Sequence, residues 1–170
     1  MEFDAMNLVG LLMPMYVTNA SAVVFSGKTS LDLGLKWLDG KPLLGKGKTI
    51  RGTAFSFTVG LVTAFWFQYF FPGNALGLSA HYFRLAILLC AGTHAGDLAA
   101  SFLKRRLNFE SGKEVWLLDQ LDFLAGALIL GSIYYIPSLL EIALMVALTL
   151  VIHRASNWVA YKIKLKKVPW

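Results

Sequence analysis

Apolar residues run along the chain in five long blocks, each closed by a polar or turn-forming stretch. The blocks cover approximately 6–25, 53–71, 82–103, 117–136 and 139–159. Each is close to the ~20 residues that cross ~30 Å of hydrocarbon at 1.5 Å per residue. Pro72-Gly73-Asn74 punctuates the second connection, and Pro137-Ser138 makes a tight fourth one. The pattern predicts an all-α integral membrane protein with five transmembrane helices. It forms a single membrane domain over residues 1–170, with loops 26–52 and 104–116 and a tail over 160–170. No repeat, low-complexity segment or linker divides it.

Composition agrees with that reading. Hydrophobic residues make up 56% of the chain and charged residues 15%, with a mean hydropathy of +0.59. Soluble domains carry about 45–50% and about 25%. Disordered, collagen-like, disulfide-rich and nucleic-acid-binding classes are excluded. The one cysteine, Cys90, lies in an apolar block and reads as a small buried hydrophobe. The N-terminus carries Glu2 and Asp4 rather than a basic segment, so the first helix is expected to be retained.

The net charge of +6 reports orientation. Of the 16 lysines and arginines, all but Arg84 lie on loops 26–52 and 104–116, in the tail, or at the tail end of the last span. That asymmetry places these segments in the cytoplasm, with the N-terminus outside and the C-terminus inside. Lys162, Lys164, Lys166 and Lys167 then read as a headgroup-binding tail, and His153 and Arg154 as residues snorkelling to the surface. His81 is expected in an exposed loop.

An ionisable side chain inside a span costs at least ~2.5 kcal/mol, so each one raises a question of function. In the third block His94, Asp97, Ser101, Lys104 and Arg105 recur at steps of three and four and share one helix face. Gly92, Gly96, Ala99 and Ala100 beside them admit a close neighbour. The stripe reads either as an interhelical hydrogen-bond cluster or as a site at the cytoplasmic boundary. The fourth block opens Leu118-Asp-Gln-Leu-Asp122, with both acids in the first turn. They read either as dipole-complementing caps or, together with Asp97, as oxygen ligands for a hard cation such as Mg2+ holding phosphates.

The first cytoplasmic loop supplies counter-charge. Gly45-Lys-Gly-Lys-Thr-Ile-Arg-Gly52 packs three cations and three glycines into eight residues, suited to an anion or to lipid headgroups. It is not a Walker A loop. With Gly40 as the first glycine, Gly47 stands where Ser or Thr is required, and no strand precedes it. In the first span Pro14 is expected to kink the helix and release a carbonyl, while Asn19 bonds across helices or lines the site.

Gly96-Asp-Leu-Ala-Ala-Ser-Phe-Leu-Lys-Arg-Arg106 followed by Leu118-Asp-Gln-Leu-Asp122 resembles the signature of CTP-dependent phosphatidate cytidylyltransferases. The bacterial Pro-Gly-His-Gly-Gly stretch is replaced here by Gly112-Lys-Glu-Val-Trp-Leu117, and the chain is far shorter. The five-span archaeal branch, the CDP-archaeol synthases, is a better match. It shares a Pro-x-Tyr-x-x-Asn element, here Pro14 to Asn19, and a Gly-x-x-Lys-Thr-x-Arg-Gly element, here Gly45 to Gly52. The resemblance implies a nucleotidyltransferase that joins CTP to an unsaturated archaetidic acid (2,3-bis-O-geranylgeranylglycerol phosphate), releasing pyrophosphate. It implies Asp97, Asp119 and Asp122 around Mg2+, with Asp97, Asp122 and Lys104 catalytic. Lys48, Thr49, Arg51, Gly52, Ser101 and Lys104 would hold phosphates, Arg105 would meet the lipid phosphate, and Asn19 and His94 would line the site. The expected partners are CTP, an isoprenoid ether-lipid phosphate and the bilayer, with no nucleic acid and room for a homodimer.

Two rival readings use the same residues. A CTP-dependent polyprenol or dolichol kinase would need a base beside the acceptor hydroxyl, for which His94 is the intramembrane candidate. A small transporter would place Asp97 in its pathway and should show repeat symmetry, which five spans without a repeat do not offer.

Overall fold

The computed structural model describes residues 5–72, 81–165 and 168. Glu2 and Asp4, the Gly73-Asn74 part of the second connection, and Lys166 and Lys167 of the tail lie outside the described residues. Five helices are present among the described residues: α1 (Ala5–Val24), α2 (Ile50–Phe70), α3 (Tyr82–Arg106), α4 (Trp116–Gly131) and α5 (Leu139–Lys162).

Pro14 sits inside α1 and cannot donate to the carbonyl of Gly10. The hydroxyl of Tyr82, itself 1% exposed, donates to that carbonyl at 2.8 Å, so the bond α1 loses is remade from α3. Around this joint Leu11, Met15, Leu89, Phe123 and Met145 form the centre of the core.

α3 and α4 make the most intimate pair. A Cβ on Gly96 would fall on the backbone carbonyl of Asp122; one on Gly92 would meet Gly126, and one on Gly126 would meet Gly92. The two backbones therefore touch directly, as small residues allow between helices in lipid. This contact sets the spacing between Asp97, next to Gly96, and Asp122.

Four of the helices are long and apolar enough to cross a membrane. α4 has 16 residues, about 24 Å long, and ends earlier than the expected span. The chain turns at Ser132, where the amides of Tyr134 and Tyr135 bond back to the Gly131 carbonyl. Pro137 then disfavours helix in the residue before it.

α5 begins with a capping box. The Ser138 hydroxyl accepts from the Glu141 amide, and Glu141 accepts from the Ser138 amide and from the Tyr135 hydroxyl. Its buried residues are Glu141, Met145 and Thr149, the last accepting from the Tyr16 hydroxyl at 2.7 Å. Beyond Thr149 no described residue of α5 is buried, so the helix stands away from α1 and a cavity opens between them.

Candidate active site

The loop between α1 and α2 is organised by an acid the pattern did not single out. The Asp32 carboxylate, 5% exposed, accepts from the amides of Gly34 (3.0 Å), Leu44 (2.9 Å) and Gly45 (3.0 Å). Burial pushes its pKa up, but those amides and the Ser30 hydroxyl outweigh it and hold it at about 2. Gly45 has φ +96, a conformation strained for any side chain, and a Cβ there would come within 3.3 Å of the Ser111 hydroxyl and 3.4 Å of the Arg105 guanidinium. The anchored loop then delivers Lys48 to Asp97, with Nζ 2.5 Å from Oδ1.

The three cations closing α3 have different partners. Lys104 Nζ lies 2.5 Å from Asp119 Oδ1. Arg106 pairs with Asp39 at 3.1 Å and donates to the Pro42 carbonyl at 2.7 Å, tying the loop to the helix end. Arg105 is 6% exposed, no carboxylate among the described residues lies within ion-pair distance, and its Nε has no hydrogen-bond partner. An uncompensated buried guanidinium is costly, so this position asks for an anion.

Asp119 does two things. Its Oδ2 accepts from the Val115 amide at 2.9 Å, capping α4, while Oδ1 takes Lys104. Asp122 Oδ1 accepts from the Phe123 amide at 2.6 Å, and the side chain lies within electrostatic reach of Asp97, Lys48 and Asp119.

These residues border one cavity of about 730 Å³. Of the expected site residues, Asn19, Lys48, Asp97, Ser101, Lys104, Arg105, Asp119 and Asp122 line it. Thr49, Arg51, Gly52 and His94 do not. Thr49 is the N-cap of α2, its hydroxyl accepting from the amides of Gly52 (3.1 Å) and Gly27 (3.0 Å). Gly52 is held against the Ala22 carbonyl, and Arg51 stacks over Phe55 at 5.6 Å. His94 Nε2 lies 3.2 Å from the Ser56 hydroxyl, in the α2–α3 contact. His94, the base expected for a lipid kinase, therefore does not line the cavity.

The cavity also holds residues given no role in the site by the sequence: Ser111 to Glu114 on the second loop, and on α5 Ser156, Asn157 and His153, the last expected to snorkel to the surface. The α5 trio recurs at steps of three and one, a polar face near the end of an apolar helix, which was the available signal.

Four acids (Asp97, Glu114, Asp119, Asp122) and four cations (Lys48, Lys104, Arg105, Lys113) line the cavity. No group of three acidic, histidine or cysteine side chains among the described residues could hold a metal unaided. Two of the acids instead hold ammonium groups at 2.5 Å, positions where a cation is stabilised. The donor set is all oxygen. That suits Mg2+, which is commonly bound by one or two carboxylates and completed by substrate phosphates. The residues fit the ion on those terms.

A family model described as CarS-like, CDP-archaeol synthase, matches residues 5–170. The chain belongs to the CDP-archaeol synthase family. The CDP-archaeol synthase of Methanocaldococcus jannaschii is 41% identical over 166 aligned positions, covering 94% of this chain and 93% of the relative. That of Pyrobaculum calidifontis is 41% identical over 175 positions, covering 98% and 99%. A solved structure, described as an intramembrane enzyme for archaeal membrane lipids biosynthesis, superposes with TM-score 0.78 at 35% identity, covering 88% of this chain and 91% of that one. CDP-archaeol synthases are cytidylyltransferases, so this chain is a nucleotidyltransferase, and it is embedded in a membrane. The expected site residues divide into those around the cavity, those at the start of α2 (Thr49, Arg51 and Gly52), and His94 in the α2–α3 contact.

Proposed function

We propose that this enzyme transfers the cytidylyl group of CTP to unsaturated archaetidic acid at the cavity between α1, α3, α4 and α5, facing the cytoplasm. The observation that carries the reading is Arg105, a buried cation with no acidic partner, set beside the Gly45 turn at the cavity wall. The lipid phosphate oxygen attacks the α-phosphorus, a new P–O bond forms, and the bond to the β-phosphate oxygen breaks to release pyrophosphate. The nucleophile is already an anion and needs no base. Catalysis is then positioning and charge neutralisation.

Lys48 and Lys104 hold the triphosphate oxygens together with Arg105, which the sequence had assigned to the lipid phosphate, and Ser101 donates a hydrogen bond to one of them. Asp97 and Asp122, with Asp119 beside them, would hold Mg2+, which when bound supplies charge neutralisation on the phosphates. Lys48 and Lys104 each exchange a carboxylate for phosphate as the substrate enters. The apolar wall formed by Tyr16, Ala20, Val23 and Val24 of α1 and Val159, Ala160 and Ile163 of α5 receives the isoprenoid chains. The positive charge on the loops supports a cytoplasmic site with the N-terminus outside.

The test is purified enzyme with Mg2+, the lipid phosphate and CTP labelled at the α- or the γ-position. Label from the α-position in a CDP-lipid supports the reading. Label entering lipid from the γ-position alone would overturn it.

A further inference from the structure

The loop between α1 and α2 carries a feature the active site does not use. Leu33, Leu35, Trp37 and Leu38 are 70%, 62%, 46% and 95% exposed, four large apolar side chains within six residues, outside any helix. A solvated loop has no reason to present them. The segment is nonetheless well held. Trp37 donates its amide to the Lys41 carbonyl and Gly40 to the Trp37 carbonyl, closing a turn at Leu38-Asp39, and Leu43 donates to the Leu35 carbonyl. Trp37 packs edge-on against Phe102 at 5.3 Å, and Asp39 binds Arg106. Leu33 adopts φ +51, a left-handed conformation that leucine rarely takes, so the fold accepts strain to present it.

Charge says what meets this surface. Lys36 within the segment is exposed, as are Lys28 and Lys46 on the same loop. The acids of the segment are occupied, Asp32 by backbone amides and Asp39 by Arg106 and Lys41. Exposed apolar side chains and exposed lysines on one loop that leaves and rejoins membrane-spanning helices fit an anionic lipid surface. We propose that the 33–38 hairpin seats in the headgroup–acyl boundary of the membrane beside the enzyme, with its lysines on anionic lipid phosphates. Asp32 links the hairpin to the cavity side of the loop, since its carboxylate takes the amides of Gly34 within the hairpin and of Leu44 and Gly45. The hairpin's seat in lipid therefore sets the position of the Gly45–Lys48 segment.

The experiment places the full chain and its Trp37→Phe variant in nanodiscs of phosphatidylglycerol or of phosphatidylcholine, with bromine at the glycerol end or at the end of the acyl chains. The difference in emission between the two proteins isolates Trp37. Its signal is expected to be lost with bromine near the glycerol and to persist with bromine at the chain ends. The loss should be larger in phosphatidylglycerol, and Leu35→Glu/Leu38→Glu should restore the signal. Emission quenched by aqueous iodide and untouched by brominated lipid would overturn the proposal. So would equal quenching in both lipids for its anionic part. Disulfide-linked dimers of Leu38→Cys in place of lipid quenching would assign the surface to a second copy.

Discussion

The ammonium of Lys48 lies 2.5 Å from Oδ1 of Asp97, joining the glycine loop to α3 across 49 positions of sequence. About a quarter of each side chain is exposed, so the pair stabilises the fold by no more than about 1 kcal/mol. Its importance is in the site. Asp97→Asn removes the negative charge and is expected to lower kcat/KM by about 10²–10³-fold. The melting temperature should stay within a few degrees, as seen by thermal unfolding in detergent. Lys48→Met should instead raise the KM for CTP more than it lowers kcat. Near-normal turnover of Asp97→Asn would remove that residue from the chemistry.

The touching backbones of α3 and α4 give a purely steric prediction. Gly96→Ala puts a methyl group on the Asp122 carbonyl, an obstacle that cannot rotate away. Overpacking of this kind costs about 1–3 kcal/mol. The helices must also separate where Asp97 and Asp122 face each other, so activity and thermal stability should fall together. A variant of unchanged melting temperature and activity would show that the helices are not in contact there.

Asp32 predicts a pH dependence of the loop. Its pKa in the folded chain, about 2, is below the ordinary carboxylate value. The stabilisation is therefore fully present above about pH 4 and is lost as pH falls toward 2. Protection of the bonds after Lys36 and Lys46 from an acid-tolerant protease should decline through that window and be flat from pH 5 to 8. Asp32→Asn should flatten the acid limb, raise the KM for CTP, and leave α1 and α2 helical by circular dichroism.

Much of this was readable in the chain because it depends on local chemistry. The five apolar blocks became five helices, and Pro14 did release a carbonyl, that of Gly10. The Gly92 and Gly96 positions did admit a neighbour. Eight of the twelve expected site residues border one cavity; seven lie on helices, where spacing decides the face they occupy, and Lys48 arrives on the loop. What was not readable depended on tertiary partners. Thr49 looks the same in a sequence whether it binds phosphate or caps a helix, and Gly27 and Gly52 decide for the cap. Asp32 is one acid in a loop until the amides of Leu44 and Gly45 fold onto it. The polar trio on α5 has meaning only because the helix leaves the bundle after Thr149.

Arg105 separates a binding role from a structural one by the sign of two effects. A buried cation held for stability would have an acid beside it; Arg105 has none among the described residues, and its Nε lacks a partner. Removing an uncompensated buried charge relieves the cost of desolvating it, as when apolar residues replace buried ion pairs with neutral or stabilising effect. Arg105→Met should therefore melt at the same temperature as the parent or higher when no nucleotide is present. The parent gains stability with ligand, about 2.7 kcal/mol at a hundred times Kd, and the variant should lose that gain with CTP and Mg2+. Arg105→Lys keeps the charge without the planar fork and should recover part of the nucleotide-dependent shift. The checking measurement is a pair of melting curves for each protein, with and without CTP and Mg2+. A variant that unfolds earlier without nucleotide yet keeps the full shift would make Arg105 a structural residue and move the triphosphate elsewhere in the cavity.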